Sequence, residues 1–204
     1  MKSRLVETDC QTSSLLCGDI AGTGGTLILA DLNDVNTDPL NIALLIMRVT
    51  IGLMIMAHGY NHIYGGGKIQ GTAGWFASMG MKPGILHAWL ASITELGAGA
   101  MLVVGLLTPL AAGAVMSVMI VAWITAHRSN GFFIFKPGQG YEYVAFVALT
   151  CAGVGTLGAG EWSIDNAMEF PINPGSWLAF LVTVGAGVGG AFSLLAVFYR
   201  PDKP

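Results

Sequence analysis

Apolar residues occur along this chain in five long runs, each interrupted by only a few polar side chains. Each run reaches about 17–25 residues, the length of a helix that crosses the hydrocarbon core of a bilayer. Because an open-ended segment in lipid satisfies its backbone amides only as a helix, the pattern predicts an all-α, polytopic membrane bundle. The five predicted spans cover residues 40–64, 85–107, 110–127, 141–158 and 177–199.

The composition agrees with this prediction and excludes other classes of protein. Of the 204 residues, 53% are hydrophobic and only 10% are charged, whereas an ordinary soluble domain carries roughly 25% charged residues. So few charges cannot cover a soluble globule. The 29 glycines fit a bundle whose helices approach each other closely. The net charge of −3 offers no basic surface, so we expect no nucleic-acid partner.

Residues 1–39 differ from the rest, with six acidic side chains against Lys2 and Arg4. Glycines interrupt the apolar patches of this segment, and its pattern is not that of a signal peptide. We predict an acidic tail that becomes ordered only against a partner. The spacing of Cys10 and Cys17 does not decide whether they form a disulfide. Cys151 lies in an apolar run and is predicted to be a buried thiol.

Basic residues near the spans lie on one side of the predicted bundle. Six Lys and Arg side chains fall on that side, and none falls in the two opposite loops. The positive-inside rule therefore predicts a cytoplasmic C-terminus and an acidic N-terminal tail outside. The six basic residues are Lys68, Lys82, Arg128, Lys136, Arg200 and Lys203.

Arg48 and Glu95 are charged side chains within two predicted spans, where such groups are costly and often functional. At 1.5 Å per residue, they lie roughly 12 and 18 Å from the same membrane face. That difference is within reach of an arginine side chain, so we predict an intramembrane pair. The residues alone leave open whether such a pair has a functional role or only joins two helices.

A second group of polar side chains is predicted near the inner face. His58 and His62 are four residues apart and share one helix face. His127 and Glu142 reach the same level from two other spans. The loop between them, residues 128–140, contains three phenylalanines and is predicted to cover the mouth of the bundle.

Three interpretations of this group remain open: proton transfer or hydrogen bonding to a quinone, binding of a metal or haem, and a purely structural network. A full set of metal ligands is not visible, so we predict no metal site. A quinone is the candidate cofactor. The candidates for catalysis are His58, Glu95, His127 and Glu142, and those for cofactor binding are His58, His62 and Tyr141.

The same residues lie in motifs that resemble the DoxX family of small bacterial membrane proteins. Over residues 40–170, Arg48 precedes GLMIMAHGYNHIYGG and GTAGWFASMGM, and Glu95 begins ELGAGAMLVVGLLTPLAA. HRSNGFFI and GYEY follow in the same order. The resemblance implies a four-helix bundle in the bacterial plasma membrane. It also implies a redox-associated role, since the family is linked with quinone-dependent and thiol systems and with membrane oxidoreductase complexes.

Two segments lie outside the resemblance, so three parts are predicted: an extracytoplasmic tail over 1–39, a DoxX-like core over 40–170, and an additional helix with a short cytoplasmic end over 171–204. Gly185 and Gly189 give that helix a spacing that permits close helix contact. We predict an accessory membrane subunit of a larger oxidoreductase or respiratory-chain complex, without turnover of its own. It would contact other membrane subunits and lipids. The alternative is a quinone-interacting oxidoreductase subunit that uses the intramembrane His, Glu and Arg side chains.

Overall fold

The computed structural model describes residues 37–201, which belong to one compact helical unit. These residues form helices joined by turns and loops, and the expected all-α membrane bundle is confirmed. The acidic tail predicted over 1–39 lies outside the described residues apart from its last three. Cys10 and Cys17 lie outside them as well.

Seven α-helices follow one another in the described part of the chain. The fourth continues without a break through a π-helical turn, Trp123–His127, and a 3₁₀ turn, Arg128–Asn130. The helices are α1 Asp38–Tyr64, α2 Lys68–Ser78, α3 Gly84–Val104, α4 Thr108–Ala122, α5 Glu142–Leu157, α6 Ile164–Ala167 and α7 Trp177–Phe198.

Four of these helices are long and apolar enough to cross a membrane: α1, α3, α7, and α4 with its two added turns. They coincide with four of the five predicted spans. The fifth prediction falls on α5, which is apolar but has only 16 residues. The count of five spans therefore stays a prediction.

The main difference from the predicted elements is α2, because the sequence indicated only a loop between residues 65 and 84. Glycines at 71 and 74 hide its pattern, although Ala73 and Phe76 are buried. Gly84, at the start of α3, lies directly against the backbone of Ala73, where any side chain would collide. Tertiary packing therefore stabilises a helix that its own propensity does not favour.

Glycines set the spacing between the long helices. A Cβ on Gly52 of α1 would lie 2.6 Å from the carbonyl oxygen of Gly99 on α3, so the two backbones are in contact. A Cβ on Gly113 of α4 would lie 2.8 Å from the carbonyl oxygen of Thr183 on α7. These contacts agree with the close approach that the glycine content suggested.

The core lies around α4, which packs against α3, α5 and α7. Ile55, Leu102 and Val115 are fully buried there. Cys151 of α5 joins the same cluster with no exposed surface, which confirms its expected burial.

The end of α7 is tied to the segment that precedes α3. The backbone N–H of Arg200 donates to the carbonyl of Gly80 at 2.7 Å, and that of Lys82 donates to the carbonyl of Phe198 at 3.3 Å. Met81, which is fully buried, pairs with Tyr199 in an isolated antiparallel bridge. The last helix is thus anchored to the bundle near its C-terminal end.

Candidate functional site

A cavity of about 530 Å³ lies within the bundle and is lined by every helix except α6. Most of its lining side chains are apolar. Its polar groups include the four histidines of the chain, His58, His62, His87 and His127, together with Glu95 and Tyr143. A mostly apolar cavity with a few polar groups is the usual form of a small-molecule site.

His62 of α1 and Glu95 of α3 form the centre of the polar group. His62 Nδ1 lies 3.1 Å from Glu95 Oε2, and their side chains are 17% and 5% exposed. The two atoms are within ion-pair distance of each other, and neither has a hydrogen bond to another described residue. A carboxyl and an imidazole so close can pass a proton directly between them, or to a group bound beside them.

His87 is 2% exposed, and its ring is held by aromatic neighbours. The Phe198 ring meets it edge-on at a centroid distance of 5.0 Å, and the Phe76 ring lies 6.3 Å away on another side. His87 Nε2 is buried and has no hydrogen-bond partner in the described part of the chain. This histidine therefore offers an unused polar atom at the wall of the cavity.

His58 and Tyr143 form a second contact across the cavity, between α1 and α5. Tyr143 Oη lies 3.3 Å from His58 Nε2 and also donates to Met54 Sδ at 3.2 Å. The two rings are 6.0 Å apart. A phenol that donates to a weak sulfur acceptor can turn to a better acceptor in the cavity at little cost.

His127 ends the π-helical turn after α4, and the following loop fixes its ring. Its Nδ1 lies 2.7 Å from the carbonyl oxygen of Gln139. Asn130 holds the same loop by donating to the carbonyl of Gly138 at 2.6 Å. Ile134 also lines the cavity, so this loop closes one end of it. Such π-helical turns frequently occur at functional sites.

Two of the sequence candidates, Glu142 and Tyr141, do not line the cavity. Glu142 Oε2 accepts the backbone N–H of Ile134 at 3.2 Å, so its carboxylate holds the loop. Tyr141 stacks on Trp123 at a centroid distance of 5.2 Å. Tyr141 and Tyr143 are two residues apart, and on a helix such neighbours point in nearly opposite directions.

Arg48 and Glu95 do not form the pair that their estimated depths predicted. Arg48 is 1% exposed and donates to the backbone carbonyls of Leu102, Val103 and Trp162. Leu102 and Val103 lie seven and eight residues beyond Glu95, which is about 10–12 Å along α3. The depth estimate failed because it counted from the ends of the spans and took no account of the register between helices.

The cavity and its histidines lie largely within one stretch of chain, from α1 to the turns after α4. Residues 43–128 match the DoxX family model. The chain carries a DoxX domain. The resemblance expected from the motifs is thereby confirmed over these residues, and the four helices long enough to cross a membrane indicate a multi-pass membrane protein. Neither a curated protein nor a solved structure matches the chain.

The DoxX domain supplies most of the polar side chains of the cavity. His58, His62, His87, Glu95 and His127 all fall within the matched residues. The remaining parts of the wall come from outside the match. These parts include Tyr143 on α5 and three residues of α7, which are Ala186, Gly190 and Leu194.

Sequence reasoning brought together His58, His62, Glu95 and His127, which all line the cavity, but it did not select His87 or Tyr143. A simple signal was available for His87, because it interrupts the apolar run of α3 just as Glu95 does. The aromatic residues Trp75 and Phe76 were missed because they lie on the unpredicted helix α2. No group of three or more His, Cys, Asp or Glu side chains within residues 37–201 is arranged to hold a metal ion.

Proposed function

We propose that this DoxX protein is a redox-associated membrane subunit that binds a quinone head group in the cavity. The observation that carries the proposal is a buried polar cluster in which His87 Nε2 has no hydrogen-bond partner among the described residues, while His62 Nδ1 and Glu95 Oε2 are paired with each other at 3.1 Å. All three belong to residues that line one apolar cavity. A quinone combines an apolar ring with two carbonyl oxygens that accept hydrogen bonds, and its reduced form donates them.

A purely structural network is the weaker interpretation of these side chains. Each buried polar atom without a partner costs roughly 1–3 kcal/mol. Ser92 and Thr183, which do not line the cavity, satisfy their hydroxyls by donating to carbonyls one turn earlier in their helices. His87 Nε2 instead stays unpaired among the described residues at the cavity wall, where a bound molecule can reach it.

The cavity groups suit the binding and protonation of a quinone in distinct ways. Tyr143 and His58 can donate to a carbonyl oxygen from one side, and His87 Nε2 can accept a hydrogen bond from a hydroxyl of the reduced quinone from the other. Glu95 with His62 can hold or release the proton that accompanies a change in the redox state of the quinone. Electrons would come from a partner in the same membrane, and the chain itself would act by binding and by moving protons.

Quinone content after purification tests this part of the proposal. We expect protein purified from its membrane in mild detergent to retain quinone, measured by solvent extraction and mass spectrometry. His87→Phe removes the unused nitrogen but keeps an aromatic ring, and should lower retention about tenfold. Trp177→Phe, which also leaves an aromatic ring but at an exposed position outside the cavity, is the control. Protein that neither retains nor rebinds added quinone, or equal retention by both variants, would contradict the proposal.

The second part of the proposal is that the protein works as an accessory subunit of a larger oxidoreductase or respiratory-chain assembly in the bacterial inner membrane. The support comes from α7. Gly185 and Gly189 have no heavy atom of the described residues within 4 Å of a built Cβ, whereas Gly187 packs tightly on Met116. The Gly185 and Gly189 face is thus free for close contact with a helix of another subunit.

Co-purification tests this docking role. Replacement of both Gly185 and Gly189 with Leu should leave the protein inserted but release it from its assembly in native gels. Deletion of residues 1–36 tests the proposed tail in the same way. If both variants still migrate with the same large assembly at unchanged yield, the docking role fails and the DoxX domain itself must hold the partner.

A further inference from the structure

The cavity is much longer than the polar group at its centre. Along α4 and the turn that follows it, lining residues run from Leu110 to His127. Seventeen residues of helix correspond to about 25 Å, which approaches the roughly 30 Å of a bilayer core. The histidines lie toward the His127 end of this length, and the rest of the cavity is an apolar groove.

The groove lies over α4, between α3 and α7. Small side chains of α4, Ala114 and Ser117, form its floor. Leu90 and Thr94 of α3 line one wall, and Ala186, Gly190 and Leu194 of α7 line the other. Leu90 and Leu110 are 40% and 43% exposed, so the groove is open toward the lipid.

We propose that this groove holds the single aliphatic tail of the same membrane quinone whose head group lies against His62, His87 and Glu95. The inference rests on the proposed function and adds the class of quinone, one that carries a long tail. A small-walled apolar groove that continues directly from a head-group site fits one flexible chain. A second helix would not fit in about 530 Å³.

The lining of the cavity favours a quinone over a phospholipid as the occupant. A charged phosphate head group needs a cationic partner when it is removed from water, and no lysine or arginine of the described residues lines this cavity. A quinone head is uncharged, so it can lie against the histidines while its tail follows the groove.

A matched pair of neighbouring glycines on α7 allows a sharp test. Gly190 lines the groove, and a Cβ there would meet only the Ser117 side chain, with its hydroxyl at 3.0 Å and its Cβ at 3.6 Å. Gly189 faces away from the bundle with nothing within 4 Å of a built Cβ. Gly190→Leu therefore fills the groove, whereas Gly189→Leu adds the same side chain outside it. Ala114→Leu fills the groove from α4 and serves as a second blocking variant.

The experiment compares a tetramethyl-benzoquinone without a tail and a decyl-substituted benzoquinone in lipid nanodiscs. Binding is followed by quenching of tryptophan fluorescence, since Trp75 lines the cavity. Affinities are expressed per mole of lipid, so that partitioning into the bilayer cancels between variants. We expect Gly190→Leu and Ala114→Leu to weaken binding of the decyl compound about tenfold. Both should leave the tailless compound unchanged, and Gly189→Leu should change neither.

Two failures of this experiment are distinguishable. If the tailless compound binds but the tail adds no affinity, or if both blocking variants bind the decyl compound as the original protein does, the groove does not hold the tail. The head-group proposal then survives. If the original protein binds neither compound, the proposed quinone site itself is wrong and the inference about the tail falls with it.

Discussion

Arg48 joins three parts of the chain at one end of the bundle. Its guanidinium donates to the last turn of α3 and to the carbonyl of Trp162, in the segment after α5. Asp165 of the same segment accepts the backbone N–H groups of Leu107 and Thr108 at 2.6 and 2.8 Å. Arg48 and Asp165 thus fix the connection between α3 and α4, which makes Arg48 a structural residue and not part of the cavity.

Replacement of Arg48 should therefore destabilise the fold. Arg48→Met removes the hydrogen bonds that Arg48 donates to the carbonyls of Leu102, Val103 and Trp162, and we expect the free energy of unfolding to fall by about 3 kcal/mol. Denaturation in mixed detergent micelles measures the change. Arg128→Met removes an exposed arginine and is the control. Equal stability of the two variants would show that the buried contacts of Arg48 contribute little.

Double-mutant cycles can distinguish the contact between His62 and Glu95 from the pair of Arg48 and Glu95 that the sequence predicted. We expect a coupling energy of about 1 kcal/mol between His62→Ala and Glu95→Ala, because the two groups are in contact. Arg48→Met and Glu95→Ala should be additive within about 0.5 kcal/mol, since two helical turns separate them. Coupling in the second cycle and none in the first would contradict the register of α1 and α3.

At the scale of elements, α7 has a larger part in the cavity than its position outside the DoxX match suggests. One side of this helix lines the cavity and packs on α4, and its Phe198 ring contacts His87. The opposite side carries Gly185 and Gly189 and is free. The helix that the sequence assigned to docking thus also completes the candidate site, so its loss would affect ligand binding as well as assembly.

The packing of α7 on α5 can be tested with two glycines of one helix. A Cβ on Gly155 would lie 2.5 Å from the side chain of Thr183, whereas a Cβ on Gly153 meets nothing within 4 Å. We expect Gly155→Ala to lower the free energy of unfolding by about 1–3 kcal/mol through overpacking. Gly153→Ala should be neutral or raise it by up to about 1 kcal/mol. Equal effects in the same denaturation assay would mean that α5 and α7 separate easily.

At the scale of the whole molecule, the distribution of charge gives the bundle a proposed orientation. The loop beside His127 carries Arg128 and Lys136, and the segment joined to the end of α7 carries Lys82. The positive-inside rule predicts that this end faces the cytoplasm. The histidine end of the cavity would then lie toward the cytoplasmic side, from which protons could reach it.

Reporter fusions test this topology directly. A reporter after Pro204 should report a cytoplasmic location, and a tag before Lys2 should be accessible from outside. The physical reason is the six-to-zero asymmetry of Lys and Arg between the two sides. If both ends report the same side, α5 does not complete a fifth span, and the sixteen-residue helix must then enter the membrane without crossing it.

The sequence alone predicted much of this protein's architecture and part of its candidate site. The long helices lie close to their predicted positions, because an apolar run of about 20 residues is a local property of the sequence and is by itself enough to span a bilayer. His58 and His62 were expected on one face for an equally local reason, the helical repeat. The short helix α2 was not predicted, since its stability comes from contacts of Ala73 and Phe76 with the rest of the bundle.

The sequence by itself determined the class of protein, its long helices and the kinds of polar side chain that they carry into the membrane. Only the tertiary structure decided which of those side chains meet. The register between α1 and α3 is set by the contact of Gly52 with Gly99, two residues far apart in the chain. That register places His62 beside Glu95 and separates Arg48 from it, because one helical turn moves a side chain by about 5.4 Å.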